Sequence, residues 1–535
     1  MEQKFNLGVM RTCCLLAILC VLNSSAVGQR MRRISPLVTI ENGIIEGTTN
    51  SIGDIKIFKG IPFAAPPVGN LRWKAPQPVA KWKGTRKCVA FNASPMQPIP
   101  EPNPQSPWSP EFYVPKEPIG EDCLYLNVWS GAKSAAEKLP VLVFVYGGGF
   151  TGGGTACPIY DGEAIAKRKV IFVSVNYRVG VFGLLAHPEL SEESGYGSSG
   201  NYALLDVIAA LRWVQKNISA FGGNPKNITI AGHSAGAFII NFLSGSPHAK
   251  GLFQRAIAES GGKFYDTPFW GKMLDEKAAE EQGVSFAASL NCSSLAELRA
   301  KSADEIAKGN YGITEPIMDG YSITESMLDI YKKGRQNDVS ILVGWNKDEV
   351  RLPQPVKADV FREQIQQRFG DLTEECFKVY PSQTDKEATQ SQSDMMTDEI
   401  FGIQCYTWAK LQTKTGKSKA FVYNFNRLLP AYTPETQFGA FHSGEVVYAY
   451  NNLNTLYRPW ERIDHAIADR MSNYWVNFAK TGNPNGKGLP KWEPYDLLHE
   501  NVMLIDKVIE LKSLPSRKRM LFWEKYYATI NNEKK

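Results

Sequence analysis

The sequence contains no CxxC pair and no HExxH motif, and only 6 of its 535 residues are histidine. Structural zinc sites draw on paired cysteines and histidines, and many hydrolytic zinc sites use HExxH, so a zinc site is not expected. Beyond its N-terminal region the chain also lacks any run of about 20 uncharged apolar residues, so no membrane-spanning helix is expected there. Internal repeats are absent. A composition of 43% hydrophobic and 21% charged residues is that of an ordinary globular protein.

The chain has a formal net charge of +6, and it contains no long run of basic or acidic residues. The basic clusters are short: Arg30 with Arg32 and Arg33, and the stretch Ser516–Arg519. Groups of this size are typical of solvated surface, whereas nucleic-acid binding draws on a larger basic patch. We therefore expect no nucleic-acid partner.

The N-terminus has the pattern of a secretory signal. Basic residues precede an apolar run at Cys13–Leu22, and Ala26 and Gly28 stand at the small-residue positions before a cleavage point. This pattern predicts a signal peptide over residues 1–28 and a mature chain over residues 29–535. We expect an exported protein, either secreted or periplasmic.

Export changes the expectation for the cysteines. Three of the nine fall within the predicted signal peptide, and those that remain are Cys88, Cys123, Cys157, Cys292, Cys376 and Cys405. Disulfides are expected in an exported protein, although six cysteines allow many pairings. The proline-rich stretch Pro95–Pro110 lies between the first two, and because proline is excluded from helix interiors and central strands, a long surface loop is expected there.

The rest of the chain alternates between strand and helix patterns. Continuous apolar runs of the kind found in buried parallel strands occur at Leu139–Tyr146, Val170–Tyr177, Ile341–Gly344 and Ala420–Phe425. Helical spacing of apolar residues occurs between Asn201 and Asn217 and again at Ile467–Gly482, which ends in a glycine stop. The alternation predicts an α/β protein with a doubly wound sheet.

One serine lies between two glycines directly after a short apolar run. The segment Gly232–Gly236 reads GHSAG, following a predicted strand at Ile228–Ala231 and preceding a predicted helix at Ala237–Leu243. This is the pattern of a nucleophile elbow, a sharp strand-to-helix turn that lifts a serine hydroxyl above a sheet. A bare GxSxG also occurs by chance, so Ser234 needs a base, an acid and an oxyanion hole elsewhere in the chain.

A glycine-rich segment, Tyr146–Gly154, follows the first predicted strand. Gly147, Gly149 and Gly152 form a GxGxxG, but dinucleotide binding requires a helix there and an acidic residue after the next strand. Pro158 interrupts such a helix, and the next strand ends in NYR. Consecutive backbone N–H groups free of side chains suit an oxyanion hole better.

Taken together, these segments resemble the type-B carboxylesterase family, which also contains the cholinesterases. The motifs that carry the resemblance occur in the family's order: GIPFAAPPVGNLRW (60–73), EDCLYLNVW (121–129), FGGNPKNITIAGHSAG (221–236), GWNKDEV (344–350) and GAFHSGEV (439–446). It extends from about residue 35 to about residue 505. The resemblance implies an α/β-hydrolase fold, in which a large, mostly parallel twisted sheet flanked by helices forms a single catalytic domain with long surface loops.

The resemblance also implies the catalytic residues. The family's triad falls on Ser234, Glu349 and His442, with Asp348 as the alternative acid beside Glu349. Read alone, Glu349 is typical of a solvated surface charge and His442 of a core histidine; the order and the motifs favour the triad. The N–H groups implied for the oxyanion hole belong to Gly148, Gly149 and Ala235. No cofactor or metal is required by this chemistry.

Further residues match the family in supporting positions. These are a structural ion pair, Arg72 with Glu121, the serine Ser260 that supports the acid, and a disulfide between Cys88 and Cys123. Two positions depart from the family. Val350 stands where a glycine usually follows the acid, and Cys292 lacks the second cysteine of a family disulfide, which leaves the pairing of the other four cysteines open.

The expected function is a serine carboxylic-ester hydrolase that forms an acyl-enzyme on a small-molecule ester. Choline-ester enzymes of the family place an indole just ahead of the second cysteine of the first loop, whereas Trp108 lies well back from Cys123 between prolines. A tryptophan there is more typical of a lid or surface contact than of a cation–π platform. We therefore expect neutral aryl or alkyl esters of short to medium acyl chains. The alternative is a non-catalytic, cholinesterase-like binding or adhesion protein, and the retained serine, acid and histidine argue against it.

Overall fold

The core of the molecule is an eleven-stranded sheet. The computed structural model describes residues 36–98, 101, 103, 106–116, 118–269, 271–352 and 354–533, with the side chains of 531–533 excepted. The predicted signal peptide lies outside the described residues, as does the boundary before Gln29. All elements below therefore belong to the part of the chain that is predicted to be the mature protein.

The described chain begins with strands, and helices separate the strands from about residue 139 to residue 505. The strands are β1 (Leu37–Ile40), β2 (Gly43–Glu46), β3 (Thr48–Thr49), β4 (Lys56–Pro62), β5 (Thr85–Lys87), β6 (Ser94–Pro95), β7 (Ile119–Gly120), β8 (Tyr125–Ser130), β9 (Leu139–Val145), β10 (Ile171–Val175), β11 (Gly223–His233), β12 (Arg255–Glu259), β13 (Ser340–Asn346), β14 (Ala420–Phe425), β15 (Asn501–Ile505) and β16 (Ile509–Ser513). The α-helices are α1 (Glu163–Ala166), α2 (Gly180–Leu184), α3 (Pro188–Glu193), α4 (Tyr202–Asn217), α5 (Ala235–Gly245), α6 (Glu276–Ser289), α7 (Leu295–Ala300), α8 (Ala303–Lys308), α9 (Met327–Lys332), α10 (Ala358–Phe369), α11 (Thr373–Val379), α12 (Asp385–Thr397), α13 (Ile403–Thr415), α14 (Val446–Ala449), α15 (Arg462–Thr481) and α16 (Arg517–Glu533). A π-helical turn, Asp398–Gly402, joins α12 to α13, and short 3₁₀ turns lie at Gly69–Leu71, Pro110–Phe112, Ala135–Glu137, Pro158–Tyr160, Ile218–Phe221, Pro247–Ala249, Gly370–Leu372, Pro434–Thr436 and Leu453–Thr455.

The main sheet is parallel at its centre and antiparallel at its edges. Its strand order is β16-β15-β14-β13-β12-β11-β9-β10-β8-β4-β3. The strands from β15 through β10 pair in parallel, and those outside them pair antiparallel. Parallel strands are covered on both faces, which explains their continuous apolar sequences. In β9, Val141–Val145 is fully buried and pairs with β10 on one side and β11 on the other.

The predicted elements lie where the sequence patterns put them, with differences at their ends. Strand β14 has the predicted bounds, and α4 begins one residue after the predicted Asn201. Helix α15 begins at Arg462, earlier than predicted, because Glu461 and Asp464 form a capping box at its start. It ends at Thr481, and the Gly482 that follows has φ of +78°, as the predicted glycine stop requires. The short antiparallel edge strands had no such periodic signal.

The proline-rich stretch and the cysteines beside it are partly described by the structure. Strand β6 ends at Pro95, where the stretch begins, and a 3₁₀ turn, Pro110–Phe112, begins where it ends. In the structure Cys88 and Cys123 are both buried free thiols, so the disulfide expected between them is not present there and stays a prediction. The Sγ atom of Cys88 lies 3.9 Å from the carbonyl oxygen of Gly60, whereas Cys123 lies near the charged pair Arg178 and Asp206. Within the described chain, none of the helices has the length and apolarity needed to cross a membrane.

Candidate active site

Ser234 occupies the sharp turn between β11 and α5. Its φ is +54° and its ψ is −125°, a rarely populated backbone conformation that costs a residue other than glycine on the order of 1–3 kcal/mol. The flanking glycines are required by space: a Cβ on Gly236 would lie 2.1 Å from the carbonyl oxygen of Val145, and one on Gly232 would lie 2.8 Å from the backbone of Gly236. The backbone N–H of Ser234 donates to the carbonyl of Glu259 on β12, at 2.8 Å. The elbow predicted at GHSAG is therefore present, and it holds Ser234 Oγ at the end of the sheet.

His442 lies on the loop between β14 and α14, next to Ser234. Its Nε2 is 2.8 Å from Ser234 Oγ, and its Nδ1 is 2.6 Å from Glu349 Oε2. The loop is attached to the end of β13, because Asn346 Nδ2 donates to the carbonyl of Phe441 at 2.8 Å. The structure thus brings together the three residues that the sequence motifs singled out, although they lie far apart along the chain.

Glu349 and its neighbour Asp348 have different partners. Besides His442, the buried Glu349 carboxylate accepts hydrogen bonds at Oε1 from Asn346 N (2.6 Å) and Ser260 Oγ (2.5 Å). Asp348 points elsewhere: its Oδ2 accepts from the backbone N–H of Ala440 at 2.9 Å and so fastens the histidine loop. Of the two acids that the sequence left open, Glu349 is the one that faces His442. Ser260 lies where the family pattern implied.

The charged form of His442 is favoured by its partner. Burial disfavours the imidazolium, but the adjacent Glu349 carboxylate outweighs burial, and the pKa of His442 is raised above its usual value. A histidine held in this way accepts a proton from Ser234 more readily, because the carboxylate stabilises the positive charge that develops on the ring.

The glycines expected to form an oxyanion hole line the same cavity as Ser234. Gly148 and Gly149 adopt φ of +130° and +60°, and a Cβ on Gly148 would lie 2.2 Å from the carbonyl oxygen of Gly152. Among the described residues, none accepts a hydrogen bond from the N–H of Gly148 or Gly149. Ala235 is the first residue of α5, where helix N–H groups have no intrahelical acceptor. The N–H groups of Gly148 and Gly149 are thus available in the wall of the cavity, and that of Ala235 lies directly after Ser234 in the chain.

The cavity above Ser234 has a volume of about 1190 Å³. Its walls are rich in aromatic and other apolar side chains, namely Trp108, Phe112, Tyr113, Val114, Tyr160, Phe269, Val350, Leu352, Met396, Ile400, Phe401, Phe438 and Phe441. Trp108 therefore lines the cavity. Val350, the departure from the family pattern, is accommodated with its backbone N–H donating to Thr397 Oγ1 at 3.1 Å.

A second layer of buried polar side chains lies behind the serine and histidine. The His233 and His442 rings lie 4.7 Å apart between centroids, and burial, followed by the charge of His442, holds the pKa of His233 well below its usual value. Burial, reinforced by the Glu349 carboxylate, raises the pKa of Glu445 to about 7. On the cavity side, Phe401 from the π-helical turn stacks on the His442 ring at 4.7 Å. Sequence reasoning missed all three as site residues. His233 lies within the GHSAG motif and Glu445 within GAFHSGEV, so these two carried a signal that could have found them, whereas Phe401 carried none.

The predicted ion pair lies outside this constellation. Arg72 Nε and Nη2 donate to the two oxygens of Glu121 at 2.6 and 2.5 Å. The Nη1 atom of Arg72 also donates to the carbonyls of Arg299 and Lys301, at 2.9 and 2.8 Å. The pair therefore joins distant segments, in agreement with a structural role.

The protein has an α/β-hydrolase fold. Its sheet is largely parallel, its serine lies on a strand-to-helix elbow, and the acid and the histidine follow the serine in that order along the chain. Residues 34–523 match the carboxylesterase family. The chain is similar to a fumonisin B1 esterase of Sphingopyxis macrogoltabida (34% identity over 481 residues; 85% of this chain, 84% of the relative). It is also similar to the para-nitrobenzyl esterase of Bacillus subtilis strain 168 (31% over 507 residues; 90% and 97%). Among solved structures, a PNB esterase superposes with a TM-score of 0.76 at 29% identity, covering 91% of this chain and 100% of that one.

The chain belongs to the carboxylesterase family. Membership supports hydrolysis of carboxylic esters as its activity.

Proposed function

We propose that this protein is a serine carboxylesterase that hydrolyses esters through an acyl-enzyme. The observation that supports this most directly is the continuous hydrogen-bond chain from Ser234 Oγ through His442 to Glu349, at 2.8 and 2.6 Å, at the end of a large apolar cavity. A nucleophile within hydrogen-bond reach of a base, which is itself oriented by a buried acid, is the arrangement that activates a serine.

The reaction proceeds in two halves. His442 Nε2 removes the proton of Ser234 as Oγ attacks the ester carbonyl, and the Glu349 carboxylate stabilises the resulting imidazolium. The oxyanion of the tetrahedral intermediate accepts hydrogen bonds from the N–H groups of Gly148, Gly149 and Ala235. His442 then protonates the departing alcohol. Water, deprotonated by the same histidine, attacks the acyl-enzyme and releases the acid.

The substrates that suit the cavity are neutral aryl or alkyl esters with short to medium acyl chains. Its walls offer aromatic surface for an apolar alcohol or acyl group, and small-molecule sites of this kind use a few polar groups for orientation. In a series of 4-nitrophenyl esters from two to sixteen carbons, kcat/KM should peak below about ten carbons, with each accommodated methylene adding up to ~0.8 kcal/mol. Acetylthiocholine should be a poor substrate, and a kcat/KM equal to that of the best neutral ester would overturn this preference.

Labelling with a fluorophosphonate, followed by peptide mapping of the adduct, tests the proposed chemistry. Wild type should lose all esterase activity as one residue, Ser234, becomes phosphonylated, and Ser234→Ala should remain unlabelled. An unlabelled wild type, or full ester hydrolysis by Ser234→Ala, would refute the proposal. We further propose, from the pattern of residues 1–28, that the mature enzyme acts after export, in the periplasm or outside the cell.

A further inference from the structure

The backbone around His442 is held in a conformation that needs support. Ser443, the next residue, has φ of +78°, and left-handed backbone at a residue other than glycine persists only where its surroundings impose it. Two successive carbonyls of this turn accept hydrogen bonds from side chains of distant segments. Asn346 Nδ2 donates to the carbonyl of Phe441 at 2.8 Å, and Trp108 Nε1 donates to that of His442 at 3.0 Å.

Trp108 belongs to a segment, residues 106–114, that is docked on the histidine loop by further contacts. Arg458 Nη2 donates to the carbonyl of Pro107 at 3.2 Å, and the same guanidinium lies 5.1 Å from the centre of the Phe441 ring. The Phe112 ring packs edge-on against Phe441 at 5.9 Å. The segment that carries the Trp108 indole is therefore held against the histidine loop by contacts that do not involve the indole itself.

The ring of His442 is confined from several sides. Phe401 stacks on it, and the indole of Trp108 meets it edge-on, with centroids 6.5 Å apart at 85°. These ring contacts limit how the imidazole can lie, while the indole N–H holds the backbone from which it extends. Because Nε2 must stay within hydrogen-bond distance of Ser234 Oγ, a displacement of that backbone changes the distance on which proton transfer depends.

We propose that Trp108 is a positioning residue for ester hydrolysis, whose indole N–H holds the carbonyl of His442 and thereby keeps Nε2 in register with Ser234. This inference rests on the proposed function of the same site. It assigns to Trp108 a role that depends on its N–H group, in addition to its place in the cavity wall.

The test removes the N–H and keeps the aromatic surface. Trp108→Phe should lower kcat about three- to tenfold, because the carbonyl of His442 loses one hydrogen bond. KM should stay within about twofold of wild type. The loss should be equal for 4-nitrophenyl acetate and butyrate, and the rate of Ser234 labelling by a fluorophosphonate should fall by the same factor. Replacing Trp108 with benzothienylalanine, which has the shape of tryptophan but sulfur in place of the N–H, should give the same loss.

Trp82→Phe is the matched control. Its indole also donates to a backbone carbonyl at 3.0 Å, that of Ile44, but Trp82 does not line the cavity, so kcat should be unchanged. A rise in KM with kcat unchanged in Trp108→Phe would mean that Trp108 acts by touching substrate, and would overturn the inference. So would unchanged kinetics of the benzothienylalanine protein, which decides the matter even where Trp108→Phe folds poorly. Full activity of Ser234→Ala would instead refute the proposed function itself.

Discussion

Glu349→Gln is the substitution whose effect on the active site follows most directly from the structure. Glu349 Oε1 accepts from Asn346 N and Ser260 Oγ, and Oε2 faces His442 Nδ1. A glutamine has one acceptor oxygen and one NH₂ group for these two positions. With its oxygen kept at the first position, the NH₂ faces His442 and forces the imidazole to give up its Nδ1 proton. Nε2 then carries the proton and is unable to accept that of Ser234.

The opposite orientation of the amide is no better. Its NH₂ group would then face the N–H of Asn346, leaving a buried donor without an acceptor, which costs about 1–3 kcal/mol. In either orientation the imidazolium loses its counter-charge. We therefore expect kcat to fall on the order of 10³- to 10⁴-fold, or ~4–5.4 kcal/mol of transition-state stabilisation.

The assay is steady-state hydrolysis of 4-nitrophenyl acetate, corrected with the Ser234→Ala protein as the blank. Asp348→Asn is the control, because an asparagine oxygen can still accept from the N–H of Ala440, so kcat should stay within about threefold of wild type. Near-full activity of Glu349→Gln, together with a large loss in Asp348→Asn, would refute the assignment of the acid and the reasoning from hydrogen-bond partners.

Three other outcomes follow from the same geometry. Ser234→Ala and His442→Ala should each lower kcat on the order of 10⁴-fold or more. The double variant should lose little more than either single variant, because the two residues act as one unit, and additive losses in single-turnover kinetics would contradict this. Because the pKa of His442 is raised and the neutral ring is the base, the acid limb of kcat/KM should have its midpoint above about 6.5, the usual value of a histidine side chain. Glu349→Gln should move this midpoint to lower pH, and a wild-type midpoint below about 6.5 in a pH–rate profile would contradict the effect of the carboxylate. Gly236→Ala should lower the activity, and it should lower the free energy of unfolding in urea titrations by about 1–3 kcal/mol, because the added Cβ would lie 2.1 Å from a backbone oxygen. Gly120→Ala is the control: its Cβ would meet nothing within 4 Å, so neither quantity should change, and an equal loss in both variants would contradict the steric argument.

Local segments of the sequence were sufficient for much of the fold. The continuous apolar runs predicted β9, β10, β13 and β14, because a strand that is buried on both faces has apolar side chains at successive positions. GHSAG predicted the elbow because the close approach of strand and helix leaves room only for glycine around Ser234. The type and position of such elements depend on neighbours within a few residues, which is why the chain alone reveals them.

The family motifs extended this to His442 and favoured Glu349 over Asp348 as the acid, but the residues by themselves do not distinguish the two carboxylates. Asp348 and Glu349 are adjacent and equally acidic in the sequence. They differ because the first binds the backbone of Ala440 and the second faces His442 and Ser260, and both arrangements depend on loops that follow different strands. The pairing of Cys88 with Cys123 likewise comes from the family pattern alone, and the structure holds both as buried free thiols.

What the sequence by itself determined, then, is the α/β order of elements, the elbow at Ser234 and the identity of the residues with reactive groups. Only the tertiary structure decided how they meet. Trp108 reaches the carbonyl of His442 across 334 residues of chain, and Phe401 reaches its ring from a π-helical turn with no sequence motif of its own. Such contacts are set by the packing of whole segments against one another, because hydrogen bonds and ring contacts act over a few ångströms of space regardless of separation along the chain.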